Sequence, residues 1–178
     1  MTSLTIFPEA DRKTILLDTR DVEAITTALD VIGVSFERWT PGATLPEDAS
    51  NEALLAAYNA DIRRLAEEGG YQSFDVIRML PDNPKREELR AKFLDEHIHE
   101  DDEVRFFVEG SGMFYLHAGG RVHMLLCEAG DLIKVPKSRA YEYPVKHSTW
   151  NNGLADLEAK GLIERSRGPL VFSASNAN

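Results

Sequence analysis

Glu96-His97-Ile98-His99-Glu100-Asp101-Asp102-Glu103-Val104-Arg105-Phe106-Phe107-Val108-Glu109-Gly110-Ser111-Gly112 is the stretch on which the reading of this chain turns. The sequence changes character at His97. Short β-type runs follow at residues 104–109, 113–117, 122–127 and 132–135, separated by Gly110-Ser111-Gly112, Gly119-Gly120 and Ala129-Gly130-Asp131. Strands this short between tight glycine turns predict antiparallel hairpins folded into a sandwich or small barrel. Gly110-Ser111-Gly112 is read as one of those hairpin turns. It is not a dinucleotide fingerprint, because Tyr115 stands where a third glycine is needed and no helix follows.

Upstream of this stretch, strands alternate with helices. Residues 4–7 read as a short strand. Asp18 or Thr19 is the expected cap of a helix carrying Val22, Ile25, Leu29 and Ile32 at helical spacing. Residues 34–39 return as a strand. Ser50 is expected to cap a second helix with Leu54, Leu55, Tyr58, Ile62 and Leu65 on one face, stopped by Gly69-Gly70. Residues 74–80 follow as a strand, and Pro84 opens a third helix over residues 85–94. Downstream, residues 141–149 are polar and ambiguous. Asn151 or Asn152 can start a helix that Gly161 weakens, residues 170–173 read as a final strand, and residues 176–178 as a frayed end. The expectation is an α+β chain, mainly β: an antiparallel barrel carries the site and helices pack outside it.

The 178 residues suit one domain. Within it, residues 1–95 form a helical and strand part, 96–141 the barrel core and 142–178 a C-terminal segment. Thirty acidic against 20 basic residues give a net charge of −10, which argues against nucleic acid and anionic membranes as partners. Cys127 is the only cysteine, so no intrachain disulfide and no multi-cysteine zinc site can form, and a reducing cytoplasm is the expected location. No apolar run approaches the roughly 18 residues a membrane helix needs.

The chemistry concentrates in the opening stretch. His97 and His99, at i and i+2 on an extended segment, project to one side, and Glu103 and Arg105 share their parity unless the acidic run at 100–102 resets it. Two imidazoles and one carboxylate form the set that binds Fe(II) with positions left open for substrate and oxygen. Arg105 beside them can hold an anionic substrate. A solvated acidic loop with no ligand role would show the same residues. His117 and His123, flanking the Gly119-Gly120 turn, read as surface histidines, and Cys127 as a small buried filler.

At these residues the chain resembles the acireductone dioxygenases of the cupin superfamily, metal enzymes of methionine salvage. The resemblance covers about residues 4–136. It includes Phe36-Glu37-Arg38-Trp39, Gly70-Tyr71-Gln72-Ser73-Phe74-Asp75-Val76, Glu96 through Gly112, Leu126-Cys127-Glu128 and Gly130-Asp131-Leu132-Ile133-Lys134-Val135-Pro136. It implies a cupin-type double-stranded β-helix or jelly roll with flanking N-terminal helices, and His97, His99 and Glu103 as metal ligands. It also implies that Arg105 forms and holds the substrate dianion, and that Glu96 and Asp102 assist metal incorporation and conformational coupling. One Fe(II) or Ni(II) per chain, a small acireductone, O2 and a monomeric state complete the implied picture.

The chain then departs from the family pattern. A fourth, histidine ligand is expected five residues after the proline closing the second motif, and counting from Pro136 gives Tyr141. Three explanations compete: Tyr141 ligates through its phenolate, His147 reaches the site by a shifted path, or the tail is altered and the barrel lacks some closing strands. The functions in play are an active acireductone dioxygenase, a metal-binding cupin whose turnover is altered or lost, and a barrel kept as an interaction module.

Overall fold

Gly119 and Gly120, with φ of 57° and 69°, form a two-residue turn that sets Ala118 opposite Arg121. Positive φ at both central positions matches the twist of the flanking strands, so the hairpin forms where the sequence places it. The structure, a computed structural model, describes residues 1–40, 45–46, 49–78, 88, 101–137, 146–149 and 170–175. The expected third helix over 85–94, apart from residue 88, and the expected helix after Asn151 lie outside the described residues.

The elements run β1 (Ser3–Pro8), β2 (Leu17–Thr19), α1 (Val22–Asp30), β3 (Ser35–Arg38), α2 (Asn51–Ala57), α3 (Asn59–Gly69) and β4 (Ser73–Arg78). Then come β5 (Glu103–Glu109), β6 (Ser111–Ala118), β7 (Arg121–Glu128), β8 (Asp131–Val135), β9 (Lys146–Thr149) and β10 (Leu170–Ser175). They make two five-stranded antiparallel sheets, ordered β2-β1-β7-β6-β9 and β3-β8-β5-β10-β4. This is the mainly β, antiparallel architecture that the sequence predicts.

One turn differs from the sequence expectation. Gly110, with φ of 71°, does not close a hairpin, because β5 belongs to one sheet and β6 to the other. The sequence signals the backbone reversal but not which strands pair across it. The C-terminal strands also carry news. β9 pairs with β6, and β10 lies between β5 and β4, so the segment after Pro136 supplies strands to both sheets.

Alternate residues of β5 and β8 divide two hydrophobic cores, as the period of a strand requires. Phe107, Ile133 and Val135 face inward, against Leu4, Ile6, Phe114, Leu116, Leu125 and Cys127 of the opposite sheet. Val104, Phe106 and Leu132 face outward, under Trp39, Leu54, Tyr58 and Leu65. Phe106 is the hub of the outer core, with the Trp39 and Tyr58 rings each 4.8 Å from its centroid.

The helices are set by their caps: α2 and α3 cover this outer core, whereas α1 adds Ile25 and Leu29 to the other one. Ser50 accepts from the Ala53 N–H at 3.2 Å, as expected. The single helix predicted there is two, broken at Tyr58 (φ −105°, ψ 15°), whose ring is drawn into the outer core. For α1 the cap is Asp21, which accepts from the Ala24 N–H at 2.8 Å. Asp18 and Thr19, the expected caps, are taken up by β2 instead. No helix among the described residues is long and apolar enough to cross a membrane.

Candidate active site

β5 carries Glu103 and Arg105, two of the predicted site residues. Glu103, Arg105 and Phe107 share one face of the strand, and Phe107 fixes that face as the barrel interior. Glu103 is 6% exposed, a buried carboxylate at the strand's first position, opposite Val135 of β8. The Arg105 guanidinium reaches it, Nη2 to Oε1 at 3.1 Å, and also donates from Nη1 to the Val104 carbonyl at 2.9 Å. A charged carboxylate is costly to bury without compensation, and the neighbouring guanidinium supplies it.

Asp102 points elsewhere. Its Oδ2 accepts from the Tyr71 hydroxyl at 3.0 Å and lies 3.4 Å from Lys134 Nζ, while Oδ1 accepts from the Lys137 N–H at 3.0 Å. These partners belong to the outer side of the sheet, where Tyr71 joins the core beneath the helices. Burial works to raise the Asp102 carboxyl, but the Lys137 N–H, the Tyr71 hydroxyl and the Lys134 ammonium outweigh it and hold the pKa below the usual range. Burial, and then the Asp102 hydrogen bond and charge, push the Tyr71 phenol above its ordinary value.

Of the residues predicted from sequence, the structure therefore brings Glu103 and Arg105 together and sets Asp102 on the opposite face. Glu96, His97, His99 and Tyr141 lie outside the described residues, and the backbone of His147, on β9, pairs opposite Leu116. Among the described residues no three His, Cys, Asp or Glu side chains converge as a metal cluster. The donor set suits a divalent metal: Glu103 is a buried oxygen donor on the interior face, and His97 and His99 precede it in the sequence by six and four residues.

Two residues differ from their sequence reading or sharpen it. His123 is not a surface histidine. It is 3% exposed, faces inward with Leu125 and Cys127, and its Nδ1 lies 3.4 Å from the Leu116 carbonyl. Hairpin position alone suggested exposure; the inward parity of β7 was the signal for burial. Cys127 is fully buried, and burial together with the Asp131 charge raises its thiol pKa well above the ordinary value, as a neutral filler requires.

Residues 3–149 match the family described as ARD/ARD'. The chain is 59% identical to an acireductone dioxygenase of Parvibaculum lavamentivorans over 136 residues, 76% of this chain and 74% of the relative. The chain belongs to the ARD/ARD' family. It is a dioxygenase of the cupin class. An acireductone dioxygenase 2 of Pectobacterium atrosepticum is 47% identical over 152 residues, covering 84% of each chain. The solved acireductone dioxygenase from Bacillus anthracis, with a cadmium ion in its active centre, shares the fold: TM-score 0.72 at 24% identity, covering 98% of this chain and 92% of that one. The sequence match to the ARD/ARD' family ends at residue 149, whereas the shared fold extends over nearly the whole chain.

Proposed function

We propose that this chain is an acireductone dioxygenase of methionine salvage, acting on 1,2-dihydroxy-3-keto-5-methylthiopentene with O2 at a divalent metal, Fe(II) or Ni(II). With Fe(II) the products are 2-keto-4-methylthiobutyrate and formate; with Ni(II) they are methylthiopropionate, formate and carbon monoxide. The observation that carries the reading is the Glu103–Arg105 pair on the barrel's interior face, in a chain 59% identical to a named acireductone dioxygenase.

His97, His99 and Glu103 would hold the metal, with position 141 the candidate for a fourth donor. A divalent metal there would supply Lewis-acid stabilisation of the enediolate and a template for its reaction with oxygen. Arg105 does the work on the substrate side. Its guanidinium stays charged and offers no acceptor, so it stabilises an enediol as its second proton leaves and holds the dianion. Two anchors, Glu103 and the Val104 carbonyl, keep that charge from swinging away. The apolar interior row of Phe107, Ile133 and Val135 limits water around it, which strengthens each electrostatic contact. Glu96 and Asp102 act outside the ligand set, on metal incorporation and conformational coupling. The chain works as a cytoplasmic monomer.

The test is turnover. The full chain loaded with Fe(II) or Ni(II) and given acireductone should consume oxygen and yield the metal-specific products. Metal loading without turnover would support the second reading, a metal-binding cupin that has lost its reaction at the Tyr141 departure.

A further inference from the structure

We infer that Tyr71 is a positioning residue for the metal site, acting through Asp102 on Glu103 from the far side of the sheet. This rests on the reading of Glu103 as a metal ligand. Tyr71 is 4% exposed, and its ring lies in the outer core while its hydroxyl donates to Asp102 Oδ2 at 3.0 Å. Asp102 is the residue immediately before Glu103. Its other oxygen takes the backbone N–H of Lys137, just beyond Pro136 at the end of β8. The carboxylate thereby ties the chain entering β5 to the chain leaving β8, beside the Glu103–Val135 register pair. These are the two segments that lead to the remaining candidate donors, His97 and His99 on one side and Tyr141 on the other.

The local sequence is built to place that phenol. A Cβ at Gly69 would fall 2.0 Å from Tyr71 Cε2, so glycine lets the ring come this close to the last turn of α3. Gly70, left-handed at φ 68°, ends the helix and turns the chain so that Tyr71 enters the core. Lys134 Nζ sits 5.6 Å from the ring centroid and 3.4 Å from Asp102, closing the arrangement from β8. A hydrogen bond donated into a carboxylate next to a ligand is the kind of outer support that fixes a ligand's direction.

The experiment measures cobalt(II) affinity by chelator competition, and the cobalt d–d absorption spectrum, on the full chain and on Tyr71→Phe, Asp102→Asn and the double variant. Tyr71→Phe keeps the ring and removes one hydroxyl. It should weaken cobalt binding about 10-fold or more and alter the absorption band. Loss of one hydrogen bond should move the metal-free melting temperature by only about 2–4 °C. The double variant should bind no more weakly than Asp102→Asn alone. Equal cobalt affinity and spectrum in wild type and Tyr71→Phe would overturn the inference, as would a full further loss from Tyr71→Phe in the Asp102→Asn background. Should Tyr71→Phe not fold, wild-type affinity in Asp102→Asn overturns it by itself. A wild-type chain that binds no cobalt would overturn the metal-site reading, and the inference with it.

Discussion

Two buried carboxylates in this barrel pair with arginines, and they do different jobs. Asp131, fully buried, gathers donors from segments far apart in the chain. Thr2 Oγ1 donates to Oδ2 at 2.5 Å, the Glu128 N–H to the same oxygen at 2.8 Å, and Arg38 Nε lies 2.9 Å from Oδ1. It fastens β1, β3 and the β7–β8 corner to one another. Burial still raises its carboxyl, ahead of the opposing pull of Thr2, Glu128 N–H and Arg38. Glu103 meets Arg105 two residues along the same strand, so that contact ties together no distant parts of the fold. A buried carboxylate linking remote segments is a device for folding. The Glu103–Arg105 contact lies within one strand, on the face turned into the barrel, and under the proposed function it is a charge arrangement for a ligand.

The largest effect that separates the two is on turnover. Arg105→Ala should lower acireductone turnover by on the order of 10²–10³-fold, the usual cost of removing one positioned charge donor, while metal content stays near one per chain. Parallel loss of metal and turnover would make Arg105 a structural partner like Arg38. Next comes Asp131→Ala. Breaking a buried ion pair costs about 3–5 kcal/mol, and the 44% exposure of the Arg38 side chain reduces that to about 2–3 kcal/mol in urea unfolding. Metal bound per folded molecule should not change. Thr2→Val, which keeps the shape of a residue only 1% exposed and removes its hydroxyl, should cost about 1–2 kcal/mol. Combined with Asp131→Ala it should add almost nothing, because both act on one hydrogen bond.

The smallest effect is a pH dependence. Burial, aided by Arg121 and His117 and opposed by the Leu116 carbonyl, lowers the His123 pKa in the folded chain below 6.5. The unfolded chain therefore takes up this proton first as pH falls through 6.5. Stability contributed by neutral His123 is present above that pH, declines below it, and levels once the folded-state value is passed. Unfolding curves of His123→Leu should lack this segment of the decline; an unchanged pH profile would show that His123 titrates alike in both states.

Much of the fold was legible because local rules decided it. Short β-type runs between glycine turns marked β5 through β8, Gly119-Gly120 marked the hairpin, and Ser50 marked a helix start. What escaped depended on partners remote in sequence. Gly110 reads as a hairpin turn until the pairing of β5 with β8 and β10 is known. Asp21 outcompetes Asp18 and Thr19 as a cap only because β2 pairs with β1. The site divided in the same way. Glu103 and Arg105 were visible through their spacing, whereas the Tyr71–Asp102 bond joins residues 31 apart and left no periodic signal. The inward aim of His123 is carried by its parity with Leu125 and Cys127 on β7, which its place beside a hairpin turn hides.

The central claim is that Glu103 serves a ligand rather than the fold, and Glu103→Gln tests it most directly. The variant keeps the side chain's size and removes its charge, leaving the Arg105 guanidinium with an amide. Metal stoichiometry and urea unfolding of the metal-free chain, measured on the same preparation, give the answer. Glu103→Gln should lose most bound iron or nickel while its metal-free stability stays within about 1 kcal/mol of wild type. Full metal content together with a stability loss like that of Asp131→Ala would contradict it.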